Sequence, residues 1–316
     1  MKSTSTLGKK SRLAFYSRHI WNDRIAYLML IPAVLSLFIF NYLPMVGLQI
    51  AFKNYNIAYP MSEATWAGFK WFIQFFESSQ FWLVTRNTLL ISFMTLIIGY
   101  PLPIILALIL NELRSNGLKR GMQTITYMPY FVSTVIAVSL IMTMFSPTDG
   151  VINGVVKIFN NGEPIFFMQD PKWFRFIYFV LAIWRYTGFD AIVFIGAISG
   201  IDPELYEAAY IDGAGRLSRL WHITVKSILP TAAIMLILKV GKILHLCWQE
   251  ILLMQNDLNI NVSEVVQTFI YKRGLLGNDY SYAAAVGLIT SLFSVVMILG
   301  TNWVTKKMSD NEISMF

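Results

Sequence analysis

Charge is scarce in this chain. Of its 316 residues only 14% are charged, against roughly 25% in an average soluble domain. A water-soluble globule of this size could not clothe its surface with so little charge. This excludes an ordinary cytosolic enzyme and a disordered chain. The single cysteine, Cys247, excludes an internal disulfide framework and a Cys-type zinc cluster. It lies in an apolar run and reads as a small buried apolar residue. His222 and His245 stand at no ligand spacing to another metal-binding side chain, so no metal is expected. Gly8-Lys9-Lys10 and Gly241-Lys242 lack the spacing and the hydroxyl residue of a phosphate-cradling loop. Solenoid repeats, Gly/Ser linkers and low-complexity tracts are missing too.

What is present is apolar sequence: 56% hydrophobic residues and a mean hydropathy of +0.55. The net charge of +7 does not indicate nucleic acid, because the basic residues sit between apolar runs. A membrane helix needs roughly 20 mostly apolar residues. Six runs qualify, at 25–52, 87–110, 124–145, 176–200, 228–254 and 283–304. The first is too long for a signal-peptide core and lacks a small-residue cleavage site. Pro32 and Pro44 are expected to kink it, and Pro101 and Pro103 the second. The expected organisation is an all-α membrane protein of six spans: a basic cytoplasmic tail at 1–24, a six-helix membrane domain at 25–305, and a short cytoplasmic tail at 306–316. With both termini inside, the inner segments carry fourteen Lys and Arg and the longer outer ones eight. That asymmetry favours cytoplasmic termini. Trp66, Phe69, Trp71, Phe72, Phe75, Phe76, Phe81 and Trp82 crowd the first outer segment, and Trp173, Phe174 and Phe176 follow Asp170-Pro171 in another. An interfacial aromatic belt accounts for them, with a docking surface as the alternative.

The segment between spans four and five, 200–224, is polar and helical in pattern. Asp202 is a good N-cap, Pro203 suits the first helical position, and Glu204 and Glu207 suit the positive end of the dipole. Leu205, Ala208 and Ala209 make a small apolar face. Gly213 and Gly215 end the helix, and Arg216, Leu217, Leu220 and Ile223 restart one. A rigid knob for a partner's groove would look like this, and so would an amphipathic connector lying on the membrane.

Glu207-Ala208-Ala209, then Gly213 and Ile223 at the spacing found here, resemble the EAA loop (202–224) of bacterial ABC importer permeases. The stretch 201–214 looks like the carbohydrate version. Residues 41–53, 86–92, 103–112 and 279–288 are similar to the subgroup that imports oligo- and polysaccharides. The resemblance implies the type I ABC importer permease fold in a bacterial cell (inner) membrane. It implies a heterodimer with a second permease, two ATPase subunits and an external solute-binding protein. It also implies that no cofactor is held by this chain and that ATP and Mg are held by the ATPase subunits. The residues expected to couple to the ATPase are Asp202, Glu204, Tyr206, Glu207, Ala208, Ala209, Asp212, Gly213, Ala214 and Arg216. One departure is Val225-Lys226 where relatives usually carry Leu-Pro, which leaves the entry to span five less kinked.

Polar residues deep in a span are functional suspects. Span five offers Lys239, Lys242, His245, Gln249 and Glu250, beside Trp248. Span four offers Trp184, Arg185, Tyr186 and Asp190. On a continuous helix at about 100° per residue, the span-five set covers an arc of about 140°, which should face a passage rather than lipid. Aromatic faces beside hydrogen-bonding groups suit sugars, and the positive excess suits an acidic one such as a uronate. The competing expectation is internal neutralisation, with Lys239 or Lys242 paired to Glu250 or Asp190 and Arg185 satisfied at the partner interface. Rival functions are an ion-coupled secondary transporter with paired broken helices, a permease for a non-sugar solute, and a membrane enzyme using Asp202, Glu204, Glu207 and Asp212. The capped helix explains that acidic cluster more simply.

Overall fold

The computed structural model describes residues 23–244 and 248–308. His245, Cys247, most of the basic tail and the last eight residues lie outside them. Helix α1 (Arg24–Leu37) continues through a π turn (Phe38–Tyr42) into a 3-10 stretch (Leu43–Phe52). A two-residue antiparallel pairing follows, β1 (Lys53–Asn54) with β2 (Thr65–Trp66), Lys53 opposite Trp66. Next come α2 (Lys70–Glu77), α3 (Ser79–Ile97) and α4 (Pro101–Asn111). Helix α5 (Asn116–Tyr127) leads through a 3-10 turn (Met128–Phe131) to α6 (Thr134–Met144) and α7 (Val151–Phe159). The long α8 (Pro171–Ser199) precedes α9 (Pro203–Ile211) and α10 (Arg216–Arg219). The latter runs through a π turn (Leu220–Val225) into α11 (Lys226–Gly241). Short helices α12 (Trp248–Met254), α13 (Ile260–Ser263) and α14 (Val266–Ile270) lead to α15 (Tyr280–Met308).

Five stretches are long and apolar enough to cross a membrane, and a bent pair makes a sixth. Two expected spans differ from the sequence reading. The third, 124–145, is not one helix: it bends by 102° between Phe131 and Thr134. Pro129 withholds a backbone donor, Val132 and Ser133 are extended, and the Ser133 hydroxyl caps the new helix at Ile136. The fifth, 228–254, ends as a helix at Gly241 and resumes at Trp248. The stripe geometry drawn for a continuous helix therefore fails beyond Gly241. Both breaks free carbonyls, and neighbouring helices claim them: Arg185 donates to Val132 (3.1 Å) and Ser92 to Ile243 (2.6 Å). Irregular backbone at membrane depth is tolerated on this condition. Helix α1 stays wound past Pro32 and changes winding only at Phe38. In the second span residues 98–100 interrupt the helix, and Pro101 opens α4.

The apolar core falls into clusters along the bundle. One gathers Phe145, Phe167, Phe174, Leu181, Ile251 and Met254, and another Ala107, Ala191, Phe194, Ile198 and Ile228. Small residues set the closest approaches, as expected where lipid is as apolar as the core. A Cβ on Gly188 would lie 1.9 Å from the Thr126 carbonyl oxygen, so α8 and α5 touch backbone to backbone there.

Polar contacts tie together the segments expected to share a side. At one end the Tyr55 amide donates to Ser281 (2.9 Å). Asn87 donates to the carbonyls of Asn261 (3.0 Å) and Glu264 (3.1 Å) and accepts from Arg175 (2.9 Å). The buried Asn153 amide bridges the carbonyls of Phe145 (3.1 Å) and Ile165 (3.0 Å). Asp170 caps α8 by accepting from the Lys172 amide at 3.1 Å. Its carboxyl is held below the usual range, first by the Lys172 ammonium 2.7 Å away. Here the aromatics do more than form a belt: Phe75 is buried against Phe81 and Tyr282, Phe174 is core, while Trp66, Phe69, Phe76 and Trp82 stay exposed. At the other end Arg216 pairs with Glu112, and the Tyr206 hydroxyl meets Thr224 at 2.9 Å.

Candidate transport site

Two features carry functional geometry. The first is a cavity of about 380 Å³ between α3, the Tyr130 turn, α8 and the end of α11. Its wall includes Ser92, Thr95, Tyr130, Tyr186, Asp190, Lys239 and Lys242. Both helix breaks border it, since Tyr130 precedes one and Lys242 begins the other. Tyr130 lies flat on Phe189, ring centroids 3.7 Å apart, and Tyr186 meets Tyr130 edge-on at 6.0 Å.

The charges at the cavity are arranged as follows. Lys239 donates to Asp190 at 2.9 Å, as internal neutralisation anticipates. Glu250 is not the partner of a span-five lysine, however. It accepts from Arg185 and from the Tyr186 hydroxyl, both at 2.5 Å. Arg185 is 8% exposed and Glu250 3%, so this is a desolvated ion pair within the chain, not an arginine waiting at a partner interface. The same guanidinium reaches the Thr134 hydroxyl at 2.9 Å. Arg185 on α8 thus holds the start of α6, the Val132 carbonyl and α12 together.

Of the residues expected along the pathway, Tyr186, Asp190, Lys239 and Lys242 line the cavity, with Arg185 and Glu250 packed beside it. Trp184 and Gln249 do not line it. Trp248 packs on Tyr271 at 5.2 Å, and His245 lies outside the described residues. Sequence reasoning missed Ser92, Thr95, Tyr130 and Phe189. Pro129 beside Tyr130 was the available signal, because a proline deep in a span marks a break where polar and aromatic groups gather.

The second feature is the exposed helix–corner–helix of 202–219. Asp202 accepts from the Glu204 amide at 2.9 Å. The corner closes as the amides of Gly213 and Ala214 donate to the carbonyls of Tyr210 (3.0 Å) and Ala209 (2.9 Å). Gly213 sits at φ +79, as this C-terminal motif requires. Asp212 is the helix's last half-turn, and Glu207 and Ala208 face solvent. Tyr210, Ile211 and Leu217 are 70%, 83% and 79% exposed. Beneath them Arg216 donates to both the carboxylate and the carbonyl of Glu112, fastening the corner to the end of α4.

A bundle of apolar helices, a largely apolar cavity edged by charged side chains between broken helices, and a braced knob at one end suit a membrane transport component. Residues 99–310 match the family described as binding-protein-dependent transport system inner membrane component, and the chain belongs to it. Among similar proteins is Protein LplB of Bacillus subtilis (strain 168), 42% identical, the match covering 90% of this chain and 89% of that one. Another is the polygalacturonan/rhamnogalacturonan transport system permease protein YteP of the same organism, 38% identical, covering 92% and 90%. A solved bacterial ABC transporter involved in import of the acidic polysaccharide alginate contains a chain that superimposes with a TM-score of 0.84. It is 37% identical and covers 92% of this chain and 98% of that one. The fold is that of ABC importer permeases, and the chain is a transport subunit rather than an enzyme.

Proposed function

We propose that this chain is one of two permeases of an ATP-driven importer of oligo- or polysaccharide. It pairs with a second permease, two ATPase subunits holding ATP and Mg, and an external solute-binding protein. Both termini lie on the cytoplasmic side, which places the 202–219 corner there. Residues 202–215 dock in a groove of the ATPase, and closure of the ATPase dimer rocks the permeases from inward-open to outward-open.

The observation that carries this reading is the corner itself. Its large apolar side chains point outward while Arg216 and Tyr206 fix its base. A connector resting on lipid needs no such bracing. Similarity to permeases that handle arabinooligosaccharides, rhamnogalacturonan and alginate supports a saccharide cargo. The test is uptake of a labelled oligosaccharide by proteoliposomes holding the complete complex. Gly213→Val should leave membrane insertion intact while cutting ATP-dependent uptake tenfold or more, because a β-branched residue resists positive φ. Wild-type uptake driven by an ion gradient without the ATPase subunits would refute the proposal.

A further inference from the structure

The cavity's charges do not cancel. Lys239 and Asp190 neutralise each other, as do Arg185 and Glu250 beside it. Lys242 also lines the cavity, and no carboxylate pairs with it among the described residues. The neighbouring positions 245–247 are His, Leu and Cys, which supply no acid either. Lys242 caps α11 just past Gly241, its own amide donating to the Lys239 carbonyl at 3.2 Å.

A cation within a span is expected to face a polar passage rather than lipid and marks a functional position, and Lys242 is exposed on the cavity wall. The same cavity wall carries Tyr186 and the stacked pair Tyr130 and Phe189, partly exposed rings of the kind that suit the C–H faces of pyranoses. Resting on the saccharide reading above, we propose that Lys242 reads the carboxylate of a uronic-acid sugar in this cavity. The residue type fits a ligand in transit. An ammonium on a flexible stem binds a carboxylate as a point charge and follows it, whereas a guanidinium fork fixes it in one geometry. Passage requires binding weak enough to release. The available guanidinium, Arg185, is already committed to Glu250, Thr134 and Val132.

The test uses the complex of both permeases and the ATPase subunits in lipid nanodiscs, without the binding protein, whose own selectivity would mask the cavity's. Equilibrium dialysis compares labelled trigalacturonate with its carboxyl-reduced neutral trisaccharide. Wild type should bind the acidic probe at least tenfold tighter. Lys242→Gln should bring the ratio close to one, with an unchanged thermal midpoint of the complex reporting an intact fold. Lys242→Arg should restore most of the preference. Equal binding of both probes by wild type, binding of neither, or a ratio untouched by Lys242→Gln overturns the proposal. Its failure is separable from failure of the saccharide reading. ATP-driven uptake of the neutral probe by the full complex would sustain that reading while a uronate preference was absent.

Discussion

Replacing Arg185 by methionine should be among the most damaging single changes in the bundle. It removes the ion pair to Glu250 and the donors to Thr134 and the Val132 carbonyl. Glu250, 3% exposed, would keep only the Tyr186 hydroxyl. Removing one member of a buried pair costs roughly 3–5 kcal/mol, because the surviving charge stays desolvated. Glu250→Met should cost a similar amount by stranding the guanidinium. Removing both charges is different, since replacing a buried pair with apolar groups is often close to neutral. The double variant still leaves the Val132 carbonyl without its donor, worth about 1–3 kcal/mol. It should therefore be less destabilised than either single variant. Unfolding free energies of the lipid-reconstituted chain, measured as a double-mutant cycle, give the answer. Losses that add to within about 0.5 kcal/mol would show that the two groups are not coupled and that this account of the latch is wrong.

Gly188→Leu should force α5 and α8 apart, since even a Cβ would meet the Thr126 carbonyl. Overpacking of this kind costs roughly 1–3 kcal/mol or more, and an unchanged thermal midpoint of the complex would contradict the close approach. Asp170 gives a pH signature. Its native carboxyl is depressed by the Lys172 ammonium, so its contribution is present above the unfolded value of about 3.9 and lost as pH falls through the lower native one. The difference in thermal midpoint between wild type and Asp170→Ala should be constant near neutrality and shrink below about pH 4. A difference that grew on acidification would reverse the assignment.

The span count and the helix–corner–helix of 202–219 were legible because their signals are local. Length and apolarity mark a span, and Asp202-Pro203 and Gly213 mark helix ends whatever surrounds them. The breaks were less legible. Pro129 hinted at the first, but Pro32, equally deep in a run, interrupts nothing. What differs is the environment: Val132 has Arg185 to take its carbonyl, and Ile243 has Ser92. Such partners lie on other helices, so the sequence shows the polar side chains without showing which backbone they serve. The pairing of Glu250 followed the same pattern. Assuming a continuous helix put it on one stripe with Lys239, whereas the break swings it to Arg185. Broken helices also cease to mark a secondary transporter here, because a bent span, and a helix that ends at Gly241 within another, occur in a member of the binding-protein-dependent family.

Helix α8 connects the two functional features. It runs unbroken from its Asp170 cap to Ser199, carries Arg185, Tyr186 and Asp190 along its middle, and leads within a few residues to Asp202. Breaks in the third and fifth spans make those helices compliant, and α8 is the stiff member against which both are held, by Arg185 and by the Lys239–Asp190 pair. On the proposal that the 202–219 corner is moved by an ATPase, α8 is expected to deliver that displacement to the cavity as a rigid shift of its wall, with hinging at the breaks. Spin labels at the exposed positions Phe176 and Ser199, about 35 Å apart along a helix rising ~1.5 Å per residue, should keep their spacing when the complex binds ATP. Labels at Phe176 and Val135, the latter exposed just past the bend in the third span, should change theirs. A spacing along α8 that altered by more than a few ångströms would place the hinge in the wrong helix.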